Sequence, residues 1–380
     1  MKTRKSFIIL AALVLSICLF LSIPAFSNAD SIKLGVYLDL TGASSSTGIK
    51  NLKAIEFAAE TLNAKGGING STIELVKEDT AGDAKAAAAL VRKLAADSKI
   101  VALIGPVRTS SFVAVAPLVE NLKIVSFSPA SAGTMDFNNW TFRNTTPAPV
   151  MIPPLMRKIK SALNVKTAAV INPIDDDWAK DGGRLFDEAC EANGIKIVAH
   201  EIYRTKDTDF SAQLTKINNA NPAIILISAL SNEGSLILSQ AAKMGIKAHF
   251  AANTNFADNP DDWWRQSGGA SVGCLTATAF LIGPDLEPMQ KDFVANFRKI
   301  FGEDPTTTHV AGYDAILLLA DACKRANSTT DRQKIRDALG ATDKFKGMGG
   351  LYTYKNKGDA ERVLTWAAGN VKGGLDVWKP

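Results

Sequence analysis

Two hydrophobic patterns alternate along this chain. Short unbroken apolar runs, such as Ile100–Ile104, have the make-up of strands buried on both faces, as in a parallel sheet covered by helices. Between them lie longer stretches whose apolar residues recur every three or four positions. Leu52, Ile55, Ala59 and Leu62 share one helical face that stops at Gly66-Gly67, where glycine can take the left-handed conformation. In chain order the pattern predicts a strand over 32–38, a helix to about 64, a strand over 73–76, a helix over 83–96, a strand over 100–104, a helix from Phe112, and a strand over 124–127. A second series repeats the plan, with strands near 167–171, 195–200, 223–228, 249–252 and 272–278 and helices near 180–193, 210–219 and 232–244. Two such series predict an α/β fold of two doubly wound, Rossmann-like lobes. Between them, Pro147, Pro149, Pro153 and Pro154 make 144–154 a crossover rather than a continuing helix. Late helices near 288–301, 307–326 and 332–339 complete the first lobe.

The stretch IVALIGPVRTSSFVAVAP, residues 100–117, joins a buried strand to a helix through Gly105-Pro106. Thr109, Ser110 and Ser111 are good N-caps for the helix predicted from Phe112. Unpaired N–H groups at such a start, with hydroxyls beside them, suit a carboxylate. Any βαβ unit needs a capped turn there, so this stretch alone does not establish a ligand site.

Lys2, Arg4 and Lys5 precede an apolar run over 7–21 and small residues up to Ala29, the layout of a secretory signal peptide cleaved before Asp30. Cys18 follows Ile17 where a lipid-anchored cysteine wants a small residue, which favours a soluble exported protein over a lipoprotein. Cleavage there removes three basic residues and no acidic one, so the formal charge falls from +5 to +2 and nothing electrostatic argues for nucleic acid or an anionic membrane. Cys190, Cys274 and Cys323 are widely spaced and odd in number, which suits buried small residues rather than a disulfide framework or a metal cluster. No later segment has the length and apolarity of a membrane span.

The run NAKGGINGSTIELVKEDTAGD at 63–83 resembles the type I periplasmic solute-binding proteins of the branched-chain amino acid (Leu/Ile/Val-binding) ABC transporter family. Further matches follow in order: IGP at 104–106, SFSPAS at 126–131, FRNTTP at 142–147, DFSAQL at 209–214 and AGYDAI at 311–316. The resemblance implies two lobes joined by a three-strand hinge, closing on a small amino acid or carboxylate that is passed to an inner-membrane ABC permease. It places the crossings near Thr146, Thr278 and Gly350. The first lobe is then 30–146 with 279–350, and the second 147–278 with 351–380, including last strands over 363–368 and 371–377. It implies a periplasmic protein, expected to be a monomer without cofactor, metal or nucleic-acid partner. In doubly wound sheets ligands sit beyond the carboxyl ends of the strands, and here those ends carry short polar loops. By resemblance the ligand-binding residues are Thr47, Arg108, Thr109, Ser110, Ser111, Ser128, Ala130, Ser131, Trp178, Leu230, Thr254 and Asn255.

Departures from the family pattern bear on the ligand. Where amino-acid binders hold the ammonium group with an acid, this chain has Thr254 followed by Asn255. This predicts that non-amine carboxylates, including aromatic ones resting on Trp178, compete well unless Asp258 or Glu233 reaches the cleft. Trp178 is either that surface or ordinary loop packing. Arg108 stands where the family's founding pattern has a cysteine, and it either grips a carboxylate or faces solvent. Asp175, Asp176 and Asp177 lack calcium-loop spacing and suit a solvated loop, and His200, His249 and His309 have no metal-ligand spacing. With no GxSxG, phosphate-loop or dinucleotide fingerprint, a binding protein is the first reading; a secreted α/β hydrolytic enzyme and a sensory ligand-binding protein are the alternatives.

Overall fold

The structure is a computed structural model that describes residues 31–354, 358–360 and 363–379. The signal-peptide stretch lies outside these residues. The first sheet is built from β1 (Ile32–Leu38), α1 (Ser45–Asn63), β2 (Ile73–Asp79), α2 (Ala84–Ala96), β3 (Ile100–Ile104), α3 (Thr109–Leu122), β4 (Val125–Ser128) and β5 (Thr141–Arg143). The chain continues through α4 (Ala148–Leu163), β6 (Thr167–Pro173), α5 (Asp177–Ala192), β7 (Lys196–Tyr203), α6 (Ser211–Ala220), β8 (Ile224–Ile227), α7 (Ser231–Lys243), β9 (His249–Ala252), α8 (Thr254–Asp258), α9 (Pro260–Ser267) and β10 (Leu275–Thr278). Then come α10 (Pro288–Phe301), α11 (Thr307–Arg325), α12 (Arg332–Gly340), β11 (Phe345–Gly347), β12 (Gly350–Tyr352), β13 (Thr365–Gly369) and β14 (Leu375–Val377).

Strand order in the first sheet is β2-β1-β3-β4-β5, all parallel. The second runs β14-β13-β10-β9-β8-β6-β7, and its parallel part repeats the same doubly wound order before antiparallel β13 and β14 close the edge. Both lobes therefore reverse strand order at one place, between β1 and β3 in one and between β6 and β8 in the other. Crevices form beyond the carboxyl ends of strands at such switch points. The solid apolar runs end up fully covered, as parallel strands require: all five residues of β3 and all four of β8 are buried. The late helices α10, α11 and α12 bury Phe293, Phe297, Ile316, Ile335 and Leu339 in the first core. Gly105, at φ +134° after β3, lies against β1, and a Cβ there would sit 2.1 Å from the Tyr37 carbonyl oxygen.

Three expectations are corrected. Residues 148–163 form a helix despite Pro149, Pro153 and Pro154, because Met151, Ile152, Leu155, Met156 and Ile159 recur on one face and all bury in the second core. Pro149 lies in the first turn, where no N–H bond is lost, so only Pro153 and Pro154 interrupt the ladder. The last strand is Leu375–Val377 rather than 371–377, since Asn370 Oδ1 accepts from the N–H groups of Lys372 and Gly374 and folds 370–374 into a turn. Finally, Tyr352, Tyr354 and Ala360 still pack in the first core, so the chain returns to the second sheet after Ala360, beyond the position near Gly350. The chain passes from the first sheet to α4 after Arg143 and leaves the second sheet after Thr278.

Candidate functional site

Loops from both switch points face each other across one interlobe cleft with about 510 Å³ of free space, including the solvent at its mouth. Ser44 and Thr47 come from the loop after β1 and the start of α1. Val107, Arg108, Thr109 and Ser110 follow β3; Ala130 and Ala132 follow β4. The second lobe contributes Asp176 and Trp178 after β6, Leu230 after β8, and Thr254, Asn255 and Asp258 after β9. Nine of the twelve residues singled out from the sequence thus line one cavity. Ser111, Ser128 and Ser131 do not. Ser111 is fully buried, while Ser128 Oγ donates to the Pro106 carbonyl at 2.6 Å and accepts from the N–H of Ser131 at 2.9 Å. Ser131 Oγ lies 3.1 Å from Thr109 Oγ1. These hydroxyls shape the loops behind the cavity wall.

Helix α3 begins at Thr109, not Phe112, so Thr109, Ser110 and Ser111 are its first turn and Arg108 its cap. The side chain of Arg108 makes no cap hydrogen bond, and the first intrahelical bond is from the Phe112 N–H to the Arg108 carbonyl at 3.0 Å. The N–H groups of Thr109 and Ser110 therefore lie at an open helix start on the cavity, where partial positive charge favours a carboxylate. On the opposite wall, the hydroxyl of Thr254 is buried and makes no hydrogen bond among the described residues.

Arg108 lines the cavity with its side chain 27% exposed, and it is held in an ion pair. Its guanidinium donates to the Asp176 carboxylate of the other lobe, so cation and anion largely cancel at that wall. Asp176 is buried, and its other oxygen accepts from the Ala179 N–H at 2.9 Å as the N-cap of α5. The solvated-loop reading of 175–177 fails for Asp176 alone, since Asp175 and Asp177 are exposed. The signal that could have found it is the acid three residues ahead of Ala179 at the start of an amphipathic helix. Behind Arg108, burial pushes the Asp39 carboxyl above its usual range, an effect opposed by the Thr80 hydroxyl bond at 2.5 Å and by Arg108.

Asp258 lines the cavity, whereas Glu233 is buried away from it and accepts from the Lys206 N–H at 2.9 Å. The apolar part of the wall is wider than Trp178 alone and includes Val107, Ala130, Ala132 and Leu230. Further polar contacts close the cleft's flanks. Lys50 on α1 donates to Asp261 at 2.7 Å and to Asp262 at 3.2 Å on α9, and Asn259 Nδ2 donates to Thr47 Oγ1 at 3.2 Å. On the other flank Thr134 Oγ1 donates to Asp181 at 2.7 Å.

Among the described residues no group of three or more His, Cys, Asp or Glu could hold a metal ion, and no helix is long and apolar enough to cross a membrane. Cys190, Cys274 and Cys323 are buried, as expected, and burial pushes the Cys190 and Cys323 thiols up to about 12.

A fold of two doubly wound lobes with a cleft between their switch points defines a two-lobed binding protein. The sequence profile described as periplasmic binding protein matches residues 31–374, and the chain belongs to that family. It is 27% identical over 323 residues to an amino acid binding protein of Pseudomonas aeruginosa, covering 83% of this chain and 84% of that one. Its fold is similar to the leucine binding protein LivK of Thermotoga maritima MSB8, with a TM-score of 0.82, 28% identity, and coverage of 92% and 98% of the two chains. It is also similar to the branched-chain amino acid transporter substrate binding protein LivJ of Streptococcus pneumoniae in complex with isoleucine. There the TM-score is 0.84 at 25% identity, covering 92% of this chain and 100% of that one.

Proposed function

We propose that the interlobe cleft captures an aliphatic α-amino acid and that the protein, exported as a monomer, presents it to an ABC permease of the inner membrane. The observation that carries this reading is a pairing of charges across one cavity. The open start of α3 offers N–H groups to a carboxylate, and Asp258 offers a carboxylate to an ammonium group. Arg108 and Asp176 pair with each other at that wall, and Asp258 is the cavity's other acidic residue. A zwitterion matches both ends, and Val107, Leu230 and Trp178 leave an apolar surface for its side chain. Asp258 in the cavity meets the exception attached to the preference expected from Thr254, which favours the amino acid over a non-amine carboxylate. Support also comes from the relatives, whose names refer to amino acids. As a binding protein it returns the ligand chemically unchanged.

A thermal-shift panel of the twenty L-amino acids with benzoate tests this directly. The expected result is protection by leucine, isoleucine or valine and none by benzoate. Protection by benzoate alone would favour an aromatic carboxylate resting on Trp178.

A further inference from the structure

Arg143, the last residue of β5, is 2% exposed and lies behind the loop that carries Ala130 and Ala132 into the cleft. Its Nη1 donates to the Gly133 carbonyl at 2.6 Å and to the Ser131 carbonyl at 3.3 Å. The remaining carbonyls of the loop are turned the same way: Ser131 also accepts from Thr145 Oγ1 at 2.7 Å, and Ala132 accepts from the N–H of Ala148, the first residue of α4, at 2.8 Å. Three consecutive carbonyls thus bond away from the cavity that Ala132 lines. On its far side Arg143 forms a two-point ion pair with Asp359, through Nε and, at 2.9 Å, through Nη2. The Arg143 N–H also donates to the Gly358 carbonyl at 2.9 Å, and the ring of Phe137 lies 4.9 Å below the guanidinium. Residues 358–360 are the last described part of the first core before the chain returns to the second sheet at Thr365.

We propose that Arg143 is a positioning residue for ligand capture. It fixes the carbonyls of Ser131 and Gly133 behind the cleft and, through Asp359, anchors that ligand-facing loop to the third passage between the lobes. A planar guanidinium suits this role because its fixed fork makes four bonds at once, to two carbonyls and both carboxylate oxygens, where an ammonium has three donors on one atom. Lysine in its place keeps the charge for Asp359 and loses the fork. The inference rests on the interlobe cleft being the ligand site.

Hydrogen–deuterium exchange of the unliganded protein, comparing wild type with R143K and D359N, tests it without any ligand. The loop amides at 130–134 are expected to exchange at least about tenfold faster in R143K, the factor that corresponds to losing one hydrogen bond to a charged group, while β3 and β6 exchange as in wild type. A smaller acceleration is expected in D359N. Unchanged loop exchange in R143K, or acceleration spread equally over β3, would overturn the proposal and leave Arg143 as general scaffolding. Titration with L-isoleucine adds a second readout, with a dissociation constant expected to rise by about tenfold in R143K. Wild-type protein that ignored L-isoleucine would count against the amino-acid reading alone, since the exchange result stands without it.

Discussion

Arg108 of the first lobe donates to Asp176 of the second, and the pair forms part of the wall of the ligand cavity. Asp176 is 4% exposed and Arg108 27%, so the pair is partly shielded and stronger than a free surface bridge. It can form only when the lobes are together, so it belongs to the closed arrangement rather than an open one. D176N keeps the N-cap, because asparagine caps helices as well as aspartate, and removes the charge. Isoleucine affinity in D176N is expected to fall by about three- to tenfold, within the 0.2–1.5 kcal/mol range of partly exposed charge contacts. The variant should also lose part of the wild type's salt dependence. Equal affinity and equal salt dependence in the two proteins would show that the pair contributes nothing to closure.

Lys50 offers a test separated from ligand contact. It does not line the cavity, yet it holds Asp261 and Asp262 across the lobes. In K50M the buried Asp262 keeps Arg265 and Ser46 as partners but loses the cross-lobe cation. Fewer molecules are then closed, and apparent affinity falls with the competent fraction. The expected outcome is a larger radius of gyration for the unliganded variant by small-angle scattering. The dissociation constant should rise by about ten- to hundredfold, the equivalent of 1.5–3 kcal/mol. A radius unchanged from wild type would contradict this account of the flank.

His309 gives a pH dependence with a definite sign. Burial, reinforced by Lys50 and Lys53, holds its pKa well below the ordinary value, and Glu303 is its nearest carboxylate at 3.7 Å. Above about pH 6.5 the ring is neutral in both folded and unfolded chains and costs nothing. As pH falls below that value the unfolded chain takes the proton first, so stability drops by up to about 1.4 kcal/mol per pH unit until the folded pKa is reached. His309 Nδ1 accepts from the Thr306 N–H at 3.1 Å, and glutamine at that position restores the usual capping box. H309Q should therefore lose less thermal stability than wild type between pH 7 and pH 5. Parallel losses in the two proteins would assign the acid sensitivity elsewhere.

Much of the site was legible because each strand of a doubly wound lobe delivers its loop to the same edge. The strand ends alone mark the loops that carry Thr47, Thr109, Trp178 and Thr254, and the family resemblance picks out those residues within them. Ser111, Ser128 and Ser131 could not be separated from them, since one residue's shift along a turn decides between wall and interior. Helix α4 was obscured by its prolines, whose local cost is outweighed by five buried apolar side chains. The links Arg108–Asp176, Lys50–Asp262 and Arg143–Asp359 join residues far apart in sequence. No local pattern marks such pairs; the first two arise where one lobe packs on the other, and the third where residues 358–360 return to the edge of β5.

The central claim is that one cavity binds both charged ends of an amino acid, the carboxylate at the start of α3 and the ammonium at Asp258. Calorimetric titration of L-isoleucine against its 2-oxo analogue, in wild type and in D258N, tests it most directly. A hydrogen bond between charged groups is worth about 1.5–3 kcal/mol, so the account predicts wild-type binding of isoleucine about a hundredfold tighter than of the analogue, with most of that gap lost in D258N. Equal or tighter wild-type binding of the 2-oxo acid would contradict it.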